Sequence, residues 1–126
     1  MLSCELAKKL EDVGLVWEPK KGDWYAIPEI SINIMLMDYS LMERYRLNDP
    51  ADNWENAIKR YVFLPRLDQL IASMEERGYR VESTQDACYI FHPETSPWWQ
   101  KFPAENRTNA AGEALLWILQ QEQAVD

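Results

Sequence analysis

Apolar residues recur along this chain with two different periods, and the switches between them sketch a fold. From Ser3 to Gly14, the residues Leu6, Leu10 and Val13 fall at i, i+4 and i+7, the spacing of one helix face, with Ser3 placed as N-cap and Gly14 at the helix end. Short β-prone runs follow at Leu15 to Glu18 and Trp24 to Ile27, around a turn containing Pro19 and Gly22. After Pro28-Glu29, the segment from Ile30 to Leu36 alternates, which sets four aliphatic side chains on one face of a strand. Ser40-Leu41-Met42-Glu43 has capping-box spacing, and Asp49-Pro50 opens a helical signal carrying Trp54, Ala57, Ile58 and Tyr61. Pro65 introduces a central helix with Leu67, Leu70, Ile71 and Met74 on one face before Gly78. Tyr79 to Ser83 and Ala87 to His92 read as a hairpin, Pro93 to Arg107 as a proline-rich loop, and residues 108–121 as a closing helix with a stripe of Ala111, Leu115, Ile118 and Leu119.

This order, α-β-β, linking helical material, then α-β-β-α, predicts an α+β layered sandwich in which helices cover a mostly antiparallel sheet. Sliding Leu6 to Tyr25 onto Leu70 to Tyr89 without gaps gives five identities in 20 positions, Gly14 on Gly78 and Tyr25 on Tyr89 among them. A one-residue slip then matches Pro28-Glu29 to Pro93-Glu94. An α-β-β unit repeated over residues 3–29 and 65–94 is one reading; two helices and hairpins with similar punctuation is the other.

Three segments, Leu64-Pro65-Arg66-Leu67-Asp68-Gln69-Leu70, Glu76-Arg77-Gly78-Tyr79 and Ala110-Ala111-Gly112-Glu113-Ala114-Leu115-Leu116, resemble small phage and prophage proteins of the phage ABA-sandwich type. The resemblance covers positions 64 to 119 and rests on short motifs. It implies an α-β-β-α-β-β-α layered fold and brings no catalytic motif with it. The stretch from Asp38 to Phe63 departs from that compact pattern.

A chain of 126 residues, 47% apolar and 12% aromatic, suits a single domain over residues 1–126 with a core of its own. Its 13 basic against 21 acidic residues, a net charge of −8, argue against binding to a phosphate backbone, so no nucleic-acid partner is expected. The charge divides into −3 over positions 1–64 and −5 over 65–126, too even for a polyanionic mimic. No apolar run approaches the roughly 18 residues of a spanning helix, so no membrane partner is expected either. Charges from Glu5 to Lys9 interrupt any apolar signal segment, and Cys4 and Cys88 are expected as reduced thiols in a cytoplasmic protein.

Chemistry-bearing residues are sparse. There is no phosphate-cradling glycine loop, no nucleophile elbow, no HExxH and no paired CxxC, and nothing calls for a cofactor or a metal. Strand alternation sets Cys88 and His92 on one face with Glu94 just beyond, a thiol, imidazole and carboxylate of the kind that serve a ligand or hydrolytic site beside Tyr89 and Trp98. The plainer reading makes His92 a hydrogen-bonded strand-end residue and Cys88 a small buried hydrophobe. The acidic pairs Glu11-Asp12 and Glu75-Glu76 are adjacent on their helices and so cannot face one another.

Among six tryptophans, Trp17, Trp24, Trp54 and Trp117 fit a core. Trp98 and Trp99 differ: after Ser96-Pro97, a cap and first-turn pair, Trp98 and Phe102 would share one face of a helical turn ending at Pro103. The favoured placement folds these aromatics back to plug the core edge, since an exposed Trp-Trp patch is an aggregation hazard; the other leaves them out to anchor a partner. The leading expectation is a non-catalytic interaction module acting through Trp98, Trp99 and Phe102, with another protein or a second copy in a homo-oligomer as partner. The alternative is a small ligand-binding or hydrolytic domain using Cys88, His92 and Glu94.

Overall fold

The computed structural model describes residues 2–16, 23–27, 31–36 and 62–124, which form a small α+β fold of three helices and two antiparallel sheets. Helix α1 spans Cys4–Asp12, and Ser3 caps it, its Oγ accepting the Leu6 N–H at 3.3 Å. Strands β1 (Trp24–Ile27), β2 (Ser31–Leu36) and β3 (Val62–Leu64) form one sheet in the order β2-β1-β3. Helix α2 is Leu67–Glu76. Strands β4 (Arg80–Ser83), β5 (Ala87–His92) and β6 (Ser96–Pro103) form the second sheet in that order, and helix α3 (Arg107–Ala124) closes the described chain.

Both α1 and α2 stop at a glycine with positive φ, +100° at Gly14 and +89° at Gly78, a backbone region that side chains disfavour. Each ending is a Schellman motif. Gly14 N–H donates to the Glu11 carbonyl and Leu15 N–H to Leu10, while Gly78 donates to Glu75 and Tyr79 to Met74. Leu15 is therefore taken up in closing α1, and neither it nor Val16 is in a strand.

The two hairpins also correspond. Trp24 pairs with Leu36 and Tyr25 with Met35 before the register slips, so that Ile27 faces Ser31. Sixty-five positions on, Tyr89 pairs with Lys101 and Ile90 with Gln100 before the same slip brings His92 opposite Ser96.

The core joins both halves: Leu2, Leu6 and Leu10 meet Val62, Leu64, Leu70 and Met74, and all pack with Ile90 and α3. Helix α3 contacts α1, α2, β5 and β6. Its buried positions, from Ala110, Ala111 and Gly112 through Ala114 and Leu115 to Leu119, spread wider than the predicted stripe because the helix is enclosed from several sides. Small residues let α1 approach closely, so that a Cβ on Gly112 would lie 2.6 Å from Leu2 Cδ1.

Two sequence expectations need correction. Residues 96–103 are not a loop with a helical turn but strand β6, because antiparallel pairing with β5 supplies backbone partners and the two prolines sit on the sheet edge. The expected α-β-β-α-β-β-α order over one sheet is the other: among the described residues three strands follow each of α1 and α2, in two separate sheets, with the run Val62-Phe63-Leu64 supplying β3, paired with β1. The helical signals at Ser40 to Glu43 and Asp49 to Tyr61, and the residues Trp17 and Trp54, lie outside the described residues. Among those described, no helix is long and apolar enough to cross a membrane.

Candidate functional site

Strand β5 alternates Cys88 and Ile90 toward the helices with Tyr89 and Phe91 on the other face. Directly paired residues of antiparallel strands share a face, so Arg80 and Glu82 of β4 stand beside Phe91 and Tyr89, and Lys101 of β6 stands beside Tyr89. Trp99 stacks on Phe91 with ring centroids 5.5 Å apart. The face turned away from the helices therefore carries two rows across the sheet: Arg80, Phe91, Trp99, and Glu82, Tyr89, Lys101.

The register slip gives this face its edge. Between the pairs Ile90 with Gln100 and His92 with Ser96, the residues Pro97, Trp98 and Trp99 oppose Phe91 alone. Such a bulge bends an edge strand and re-aims its side chains. Trp98 is 81% exposed and Trp99 50%, so Trp98 does not fold back to plug the core. Phe102, past the bulge, turns inward, packing on the core with Trp117 6.0 Å away. The three aromatics thus divide, two outward and one inward.

Cys88, His92 and Glu94 are placed apart in role. Cys88 is fully buried, and burial pushes its thiol up to about 11, away from thiolate chemistry at neutral pH. His92 braces the β5–β6 turn: its Nδ1 accepts the backbone N–H groups of Glu94 at 3.1 Å and Thr95 at 3.2 Å, which places its proton on Nε2. The imidazole packs on Tyr79 at 4.9 Å, and the Tyr79 hydroxyl lies 3.2 Å from Thr95 Oγ1. Glu94 meets His92 through its backbone amide. Among the described residues no group of three His, Cys, Asp or Glu side chains is placed to hold a metal ion.

Sequence reasoning missed one polar network. Arg66 N–H donates to Gln69 Oε1 at 2.8 Å, Gln69 Nε2 donates to Asp23 Oδ1 at 2.9 Å, and Arg66 Nη1 lies 3.7 Å from the same carboxylate. It ties the start of β1 to the first turn of α2. The buried Asp23 lines a groove of about 440 Å³ with Leu15, Val16, Phe63, Gln69 and Glu76. Arg66 is the N-cap of α2 and Gln69 lies three residues on, a local spacing that could have signalled half of this network; the Asp23 contact spans 46 positions.

No protein-family model, curated protein or solved structure matches this chain.

Proposed function

We propose that the chain is a small, non-catalytic, phage-like interaction module whose work is to bind protein through the bulged edge of β6. The observation that carries this reading is the exposure of Trp98 and Trp99, side by side on an edge strand. Large rings left in water cost solubility, whereas in an interface they bury much area at low entropy cost. Polar groups on the same face, Arg80, Glu82 and Lys101, suit a rim around aromatic anchors. Helices packed on antiparallel sheets support a layered sandwich, and the recurrence of helix ending and hairpin register supports a duplicated unit. Two unpaired cysteines suit a reducing, cytoplasmic setting.

A hydrolytic reading has no comparable support, since it needs a reactive thiol where Cys88 is sealed in the core. The test is a photo-crosslinking amino acid placed at position 98 in the native host. A discrete heavier covalent species, absent when the probe stands instead at the exposed Glu113 on α3, is the expected result. No adduct from position 98, either in cells or in concentrated purified protein, would overturn the reading.

A further inference from the structure

The outer face of the second sheet has a charge and ring pattern that complements itself. Its first row runs cation, ring, ring across β4, β5 and β6 as Arg80, Phe91 and Trp99; its second runs anion, ring, cation as Glu82, Tyr89 and Lys101. Arg80, Glu82 and Lys101 are exposed, and none of them makes an ion pair among the described residues. Helices α2 and α3 lie on the opposite side, against Val81, Cys88, Ile90 and Phe102. What faces solvent is therefore a strip of rings with unneutralised charges at fixed positions.

We propose that this face packs on the same face of a second copy of the chain, about a two-fold axis parallel to β5. This inference rests on the interaction-module reading and names its partner. Rotation about that axis lays β4 of each copy over β6 of the other. Glu82 then meets the other copy's Lys101, and Arg80 meets its Trp99, each twice by symmetry, while Phe91 and Tyr89 meet their own counterparts at the centre. Sheets packed face to face keep their strands within about 30° of one another, which this arrangement satisfies. An in-plane axis across the strands would also bring opposite charges together, as Glu82 with Arg80. It would, however, leave Lys101 over Trp99, whereas the axis along β5 puts a guanidinium there, the cation found more often over an indole. The net charge of −8 opposes any close approach of two copies, so a face that carries more cations than anions is where self-association meets least repulsion.

The experiment is sedimentation equilibrium on the purified full chain and on Glu82→Lys, Lys101→Glu, their combination, Arg80→Glu with Glu82→Arg, and Trp98→Ala with Trp99→Ala. Circular dichroism checks that each variant keeps its fold. The proposal expects a dimer for the unaltered chain, dissociation raised about tenfold or more in each single charge variant, and recovery when Glu82→Lys and Lys101→Glu are combined. Recovery only in the Arg80→Glu, Glu82→Arg variant would overturn the axis along β5. A dimer indifferent to every charge change but lost on removing the tryptophans would overturn the face-to-face pairing and leave the anchor reading standing; one indifferent to both would overturn self-pairing through this face. A chain monomeric at every accessible concentration would overturn self-pairing alone, because crosslinking from position 98 tests other partners independently.

Discussion

His92 Nε2 stands 3.0 Å from the point that a Cβ on Gly78 would occupy. The imidazole has little freedom to retreat, since two backbone amides hold its Nδ1 and Tyr79 packs on its ring. Gly78 also sits at φ +89°, where an L side chain costs about 1–2 kcal/mol. Gly14 has the same left-handed backbone, but its nearest neighbour is Gln123 Nε2 at an ordinary 3.8 Å. Gly14→Ala is expected to lose about 1–2 kcal/mol and Gly78→Ala about 1 kcal/mol more, from the added crowding. Urea unfolding of the two variants side by side checks the difference; equal losses would show that His92 yields freely.

The thiol of Cys88 makes alkaline pH a probe of the core. Its proton is held to about 11 in the folded chain against an ordinary value of 9.0, so the folded state binds more protons than the unfolded state between those values. The associated stability is complete below about pH 9 and is lost as pH rises toward 11, with a slope of at most about 1.4 kcal/mol per pH unit. Cys88→Ala removes that slope, while other groups titrating in the window act equally on both proteins. The difference between their stability profiles from pH 8 to 11 is the measurement, and parallel profiles would contradict a sealed thiol.

At the crossing of α1 and α3, Gly112 leaves no space for a methyl group. An added Cβ would lie 2.6 Å from Leu2 Cδ1 and 2.8 Å from Leu6 Cδ2, two side chains buried in the core. Alanine improves helix propensity by about 1 kcal/mol. Overpacking costs about 1–3 kcal/mol and wins, because both leucines must leave their packed rotamers. Gly112→Ala is therefore expected to lower the unfolding free energy by about 1 kcal/mol, read by thermal and denaturant unfolding; a stabilised variant would show that α1 shifts to make room.

Helix ends were the most legible part of this chain. Ser3, Gly14 and Gly78 each announce a boundary through local geometry, and the structure puts caps and left-handed glycines there. The alternation from Ile30 to Leu36 and the apolar positions of β5 likewise mark strands. Strand β6 was hidden because Pro97 and Pro103 suggest a loop and the bulge breaks the two-residue period at Trp98-Trp99. Three-residue β3 was hidden because a short apolar run does not distinguish strand from helix. Exposure of Trp98 was undecidable from residue type alone, since an indole serves a core and an interface equally well. The outer rows of rings and charges depend on register between strands, which only pairing reveals.

Whether Trp98 and Trp99 serve adhesion or the core is decided by the unfolding free energy of the Trp98→Ala, Trp99→Ala variant, measured beside its association. Trp98 touches little, so its loss is expected to change stability by no more than about 0.5 kcal/mol. Loss of the Trp99 stack on Phe91 adds about 0.5–1.5 kcal/mol. A chain that keeps its cooperative unfolding, weakened by no more than about 2 kcal/mol, and no longer associates is the predicted result. A chain that unfolds outright, or that associates as before, would contradict it.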